Sequence, residues 1–173
     1  MAQLNLVQVE ELLKLRAGRR GKPPILADGT SEGKAAIFGS VVLLSAALQG
    51  FVEDVFEEAS ERKLGTMTPG ASAKYKKTWD RWGNPSDQNI IRLFQRLGVE
   101  DVFDGVSWQG QGTAALKSNL NHINQVRNRI AHNLPIKIDG KSVEVGYLKV
   151  YNWVKISKSF GTNFSAHVRK VIP

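Results

Sequence analysis

TAALKSNLNHINQVRNRIAHNLP, residues 113–135, sets Leu116, Leu120, Ile123, Val126 and Ile130 three or four positions apart, the spacing that lines one face of an α-helix. Pro135 lacks an amide hydrogen and disfavours helix at the residue before it, so the helix is expected over residues 113–132 and not much past Asn133. Gly110, Gln111 and Gly112 follow no strand and read as a flexible lead-in to this helix, not as a phosphate-binding loop.

Upstream, residues 35–62 read as a long central helix. Its first half, to Leu48, is apolar almost all round, which marks an element covered by neighbours on several sides. Its second half is amphipathic, with Phe51, Val55 and Phe56 on one side and Glu53, Asp54, Glu57 and Glu58 elsewhere. Lys63, Leu64 and Gly65 supply a basic residue and a glycine for its exit. A first helix is expected over residues 4–15, with Leu4, Val7, Leu12 and Leu15 as its apolar face, ending in the Gly- and Pro-rich stretch 17–24. Residues 66–84 read as a long loop with a short helical turn near Lys74. Asn84-Pro85-Ser86-Asp87 then opens a helix with a capping side chain and an early proline. That helix shows Ile90, Ile91, Phe94 and Leu97 on one face and stops at Gly98.

The last third admits two readings. Residues 136–141 include Asp139-Gly140, a hairpin-turn signal. Leu148, Tyr151, Val154, Phe160, Phe164 and Val168 recur at helical steps. The expectation is a short turn and then a helix, broken or kinked near Gly161. The sum is a single all-α domain over residues 1–173, a bundle of four or five helices.

With 173 residues and an ordinary apolar share, the chain can bury a core without staples. It has no cysteine, which excludes disulfides and thiolate metal sites and fits a reducing compartment. No segment reads as a membrane span, and residues 1–15 lack the layout of a secretory signal, so a cytoplasmic location is expected. The net charge is +8, and no acidic residue occurs from Tyr147 to Pro173. A second basic stretch interleaves Lys74, Lys76, Lys77 and Arg81 with Tyr75, Trp79 and Trp82. Such charge suits either a solvated basic face or a polyphosphate partner held through counterion release. Trp79 and Trp82 could stack on bases or pin the loop to the bundle; Trp108 and Trp153 read as core or interface.

Arg127 and His132 are the residues with chemistry to offer. Five positions apart, they are offset by roughly 140° around the helix and are not stacked neighbours. His132 stands at the helix end, where the backbone can turn it, and Arg127 has a long stem. RNA transesterification needs a proton taken from a 2′-hydroxyl, a proton given to the leaving 5′-oxygen, and charge stabilised on phosphoryl oxygens. Histidine can move the protons and arginine can grip the oxygens through its planar fork. The same two residue types also occur as plain surface groups that complement a helix C-terminus. No metal or cofactor is implied, since His122 and His132 lie ten residues apart with no carboxylate at ligand spacing between them. His122 reads as a local packing or capping residue and His167 as a surface one.

The string Arg127-Asn128-Arg129-Ile130-Ala131-His132 closely resembles the R-N-x-x-A-H motif of HEPN ribonucleases. VVLLSAALQGFVEDVFEE, residues 41–58, resembles the first core helix of bacterial members. Residues 84–108, beginning NPSDQNIIRLFQRLGV, resemble the connecting helix of a subgroup found with abortive-infection and toxin–antitoxin systems. The resemblance implies an all-α HEPN-like bundle that dimerises and sets two motifs in one cleft. It implies Arg127 and His132 as the catalytic pair, with Asn128 orienting them, in a metal-independent endoribonuclease of toxin or antiviral defence. Arg129, Lys74, Lys76, Lys77 and Arg81 are the expected RNA contacts. A cognate antitoxin or defence-system protein is a further expected partner. Gln49 departs from the pattern, standing where many members carry a glutamate; Glu53 is a carboxylate that could fill a similar place. Some members are non-catalytic RNA-binding or protein-interaction modules, or partner subunits, and those are the alternatives.

Overall fold

A computed structural model describes residues 2–17, 25, 27, 32–106 and 112–173. The turn expected over 17–24, Trp108, Gly110 and Gln111 lie outside the described residues, wholly or nearly so. The elements run α1 Val7–Ala17, α2 Lys34–Leu64, α3 Pro69–Lys76, α4 Asp87–Gln95, α5 Thr113–Ala131, β1 Lys137–Ile138, β2 Lys141–Ser142 and α6 Tyr147–Val171. The chain is mostly helical, as its periodicities predict.

Helix α2 is the axis of the bundle and packs against α1, α4, α5 and α6. Residues 35–52 carry no charge, and α2 is long and apolar enough to cross a bilayer, contrary to the expectation that no segment would be. Within this fold Ile37, Val41, Leu44, Leu48, Phe51, Val52, Val55 and Phe56 are buried against neighbouring elements. Around Phe51 and Phe56 the core is aromatic. Phe94 of α4 meets Phe56 edge-on at 5.4 Å and Phe164 of α6 at 5.7 Å, and Phe51 meets Phe160 at 5.8 Å.

Two apolar faces differ from the expected ones. In α1 the core takes Val9 and Leu13, with Leu6 just before the helix, while Val7 and Leu15 are exposed. In α6 it takes Val150, Trp153, Val154, Phe160, Phe164 and Val168, while Leu148 is 73% exposed and Tyr151 44%. Both segments carry apolar residues on two faces, and packing against α2 selects one. Helix α6 also runs unbroken through Gly161, so the break expected there does not occur. Gly161 is buried, and a Cβ there would lie 2.8 Å from Leu4 Cβ. The glycine admits the segment before α1.

Residues 66–84 are more ordered than a loop. Thr68 caps α3, its hydroxyl accepting from the Ala71 amide at 3.4 Å, with Pro69 in the first turn. Ser86 caps α4 by accepting from the Asn89 amide at 3.2 Å. Pro85 therefore lies just outside α4, and the Asn84 side chain is left for another task. Between α5 and α6 both readings of residues 136–141 hold in part. Lys137 pairs with Ser142 and Ile138 with Lys141 in an antiparallel hairpin. Its turn residues Asp139 and Gly140 have φ of 49° and 79°, the left-handed pair that a two-residue hairpin requires.

Candidate active site

Helix α5 carries Asn121, Asn124 and Asn128 as a stripe beside its apolar one, and each of the three bonds to another part of the chain. The side-chain oxygen of Asn121 accepts from the Asp87 amide at 3.3 Å, at the start of α4. Buried Asn124 accepts from the Ser45 hydroxyl of α2 at 3.2 Å and donates to its own helix at Leu120 O. The Asn128 oxygen accepts from Asn84 Nδ2 at 3.1 Å and from Arg127 Nη1 at 3.1 Å. The half-buried Arg127 guanidinium is thus steered by its chain neighbour, which is itself held by the segment leading into α4. Asn84 is secured in turn, because its carbonyl accepts from Asn89 Nδ2 at 2.9 Å.

The other end of the motif is shaped by how α5 stops. Asn133 adopts φ 50°, its amide donates to Ile130 O at 3.1 Å, and the Leu134 amide donates to Arg129 O at 2.8 Å. These paired bonds close the helix around a left-handed asparagine. His132 is left at the cap, exposed, with φ −101° and ψ 11°. Among the described residues its imidazole makes no hydrogen bond, to Arg127 or to any other group. Arg129 turns to the same helix end, where Nη1 donates to Pro135 O at 3.0 Å. One edge of its guanidinium therefore secures the chain reversal.

The expected RNA contacts on residues 74–81 divide. Lys76 meets Glu57 of α2 at 3.5 Å. Lys74, Lys77 and Arg81 are exposed and form no ion pair among the described residues. Trp79 is 3% exposed and meets Phe56 edge-on at 5.0 Å, so it pins the segment to the core and is not a stacking platform. Trp82 Nε1 donates to Glu53 Oε1 at 2.9 Å, and Gln49 Nε2 donates to the same oxygen at 3.1 Å. Gln49 and Glu53, the two positions tied to the departure from the family pattern, are therefore bonded to each other and to this segment.

His122 is more than a packing residue. The hairpin brings Asp139 Oδ2 within 3.0 Å of its Nε2, and Ser118 Oγ stands 3.3 Å from the same nitrogen. A serine–histidine–acid relay needs the serine and the acid on opposite ring nitrogens. This trio puts both on one, so it fastens the hairpin to α5. Gln125 completes the clasp, donating to Asp139 Oδ1 at 2.9 Å and accepting from the Asp139 amide at 2.9 Å. The hydrogen bond from Gln125, and then that from His122, hold the Asp139 carboxyl below its ordinary range. His167, expected at the surface, is half-buried against Gly105, and burial pushes its pKa down.

Asn84, Asn121, Asn124 and the His122–Asp139 pair were not singled out for these roles. The available signal was the spacing of Asn121, Asn124 and Asn128 by three and four, a polar stripe beside an apolar one. Compared with protein-family models, with curated proteins and with solved structures, the chain finds no match.

Proposed function

We propose that this chain is a metal-independent endoribonuclease of the HEPN type, acting as a homodimer in the cytoplasm as a toxin or antiviral-defence effector. The observation that carries the reading is Asn128, whose single oxygen gathers Arg127 and Asn84 one turn before an exposed, cap-positioned His132. Arg127 grips the non-bridging phosphoryl oxygens. His132 of one protomer takes the 2′-hydroxyl proton as the 2′-oxygen bonds to phosphorus. The bond from phosphorus to the 5′-oxygen breaks, and His132 of the partner subunit gives that oxygen a proton. One motif supplies an acid or a base, and a symmetric pair supplies both. A cognate antitoxin or defence partner would cover the shared cleft.

A second reading, a non-catalytic RNA-binding or protein-interaction module, is favoured by the His132 imidazole, which no described residue orients. The two separate on incubation of purified protein with end-labelled RNA in excess EDTA, beside His132→Ala. The nuclease leaves 2′,3′-cyclic phosphate and 5′-hydroxyl ends, and His132→Ala does not. Intact RNA overturns the nuclease in favour of the module, and DNA cut equally well points to a different chemistry, since DNA has no 2′-hydroxyl to attack.

A further inference from the structure

Beside the segment that carries Asn84, an open cleft of about 410 Å³ lies between residues 77–82 and the end of α4. Lys77, Arg81 and Arg96 line it, with Asp80 contributing a carboxylate. All three cations are exposed, and among the described residues none forms an ion pair. Arg96, the C-cap of α4, is brought to the other two only by the fold. Like charges gathered around a concavity raise the local potential and draw an anion in. The wall is firm where Trp79 backs it, edge-on against Phe56. The Trp79 indole N–H is buried with no acceptor among the described residues.

Two forked guanidiniums and a flexible ammonium suit the tetrahedral oxygens of a phosphate. The cleft is also near the motif. Arg81 precedes Asn84 by three residues, a span of at most roughly 11 Å, and Asn84 donates to Asn128 beside Arg127. We infer that Lys77, Arg81 and Arg96 form a phosphate subsite that holds a backbone phosphodiester of single-stranded RNA flanking the cleavage point. The inference rests on the ribonuclease reading for its substrate, and deepens it. It adds Arg96 to the contacts and removes Lys76, which Glu57 holds.

The test is RNA affinity, followed by fluorescence anisotropy of a labelled single-stranded RNA oligonucleotide across a salt series. His132→Ala serves as the uncut background, and Arg96→Ala and Arg81→Ala are added to it. Each added change should weaken binding about fivefold or more and flatten the logarithmic salt slope by about 0.7, the single-strand value for one lost phosphate contact. Unchanged affinity and slope in the Arg81→Ala/Arg96→Ala double variant overturn the subsite, even where the parent cuts RNA. Arg96-dependent binding by a protein that cuts nothing upholds the subsite and removes the nuclease. A nucleoside monophosphate is the second probe. If it raises the melting temperature through Arg96 while the oligonucleotide does not bind, the site takes a free phosphate ester and the strand reading falls.

Discussion

Asn84 Nδ2 donates to Asn128 Oδ1 across 3.1 Å, joining the approach to α4 to the motif helix 44 residues further on. Arg127 uses the same oxygen, so Asn84 bears on how Asn128 presents the guanidinium. On the nuclease reading Asn84 is a positioning residue. Asn84→Ala should lower kcat by about tenfold, equivalent to ~1.4 kcal/mol of barrier, with a smaller change in KM. Single-turnover cleavage at saturating RNA checks this. An unchanged kcat would leave the contact merely structural.

Arg127 separates charge from geometry. Arg127→Lys keeps the charge but loses the planar fork. A transition-state role predicts a loss of ~2–4 kcal/mol in barrier with RNA affinity little altered, and His132→Ala should be at least as damaging. A role in attraction alone predicts near-normal turnover and a changed salt dependence. Turnover and affinity are measured on variants shown to fold and to keep the parent's assembly state.

Asn133 sets where His132 stands. At φ 50° a β-branched side chain is strained, whereas glycine is not. Asn133→Val should cost ~1–3 kcal/mol of stability and lower cleavage, and Asn133→Gly should be nearly neutral for both. Urea denaturation with activity assays compares the two. Equal behaviour of the variants would show that the left-handed closure does not position the histidine.

Gly161 balances two opposing effects. Alanine favours helix over glycine by ~0.5–1 kcal/mol, while overpacking against Leu4 costs ~1–3 kcal/mol. The close contact is Cβ against Leu4 Cβ, so the second effect should win and Gly161→Ala should lower Tm by a few degrees. In a Leu4→Gly background the clash is absent and the same change should raise Tm. A fall in both backgrounds would place the cause elsewhere.

The Asp139 clasp predicts a pH dependence with a definite sign. Its carboxyl titrates lower in the folded chain than its ordinary value. The stabilisation is therefore complete above that ordinary value and is lost as pH falls through the folded one. Hydrogen-exchange protection of residues 137–142 should hold from about pH 7 to pH 5 and decline below about pH 4. Asp139→Asn should remove that acid limb. Protection independent of pH below 4 would show that the carboxylate does not hold the hairpin.

Local chemistry decided much of this protein. The apolar first half of residues 35–62, to Leu48, marked α2 as the central helix, and the three-and-four spacing of Leu116, Leu120, Ile123 and Val126 set the buried face of α5. The stretch Asn84-Pro85-Ser86-Asp87 and Pro135 marked helix ends, because a capping oxygen and a missing amide act within a few residues, whereas Thr68 was passed over as loop. Arg127, Asn128 and His132 stood out for the same reason, being neighbours on one helix end.

Tertiary structure decided what depends on partners distant in sequence. Val7 and Leu15 against Val9 and Leu13, and Leu148 and Tyr151 against Val150 and Trp153, are equally apolar choices. Only packing against α2 selects between them. Gly161 lacks a side chain and so leaves room for Leu4, from the other end of the chain, where a break or kink in the helix was expected. Asn84 on Asn128, Asp139 on His122 and Arg96 beside Arg81 have no local signature, since each joins elements whose approach is set by the buried aromatic core. Periodicity reports which residues share a face, and the faces that meet are fixed by burying the most apolar surface at once.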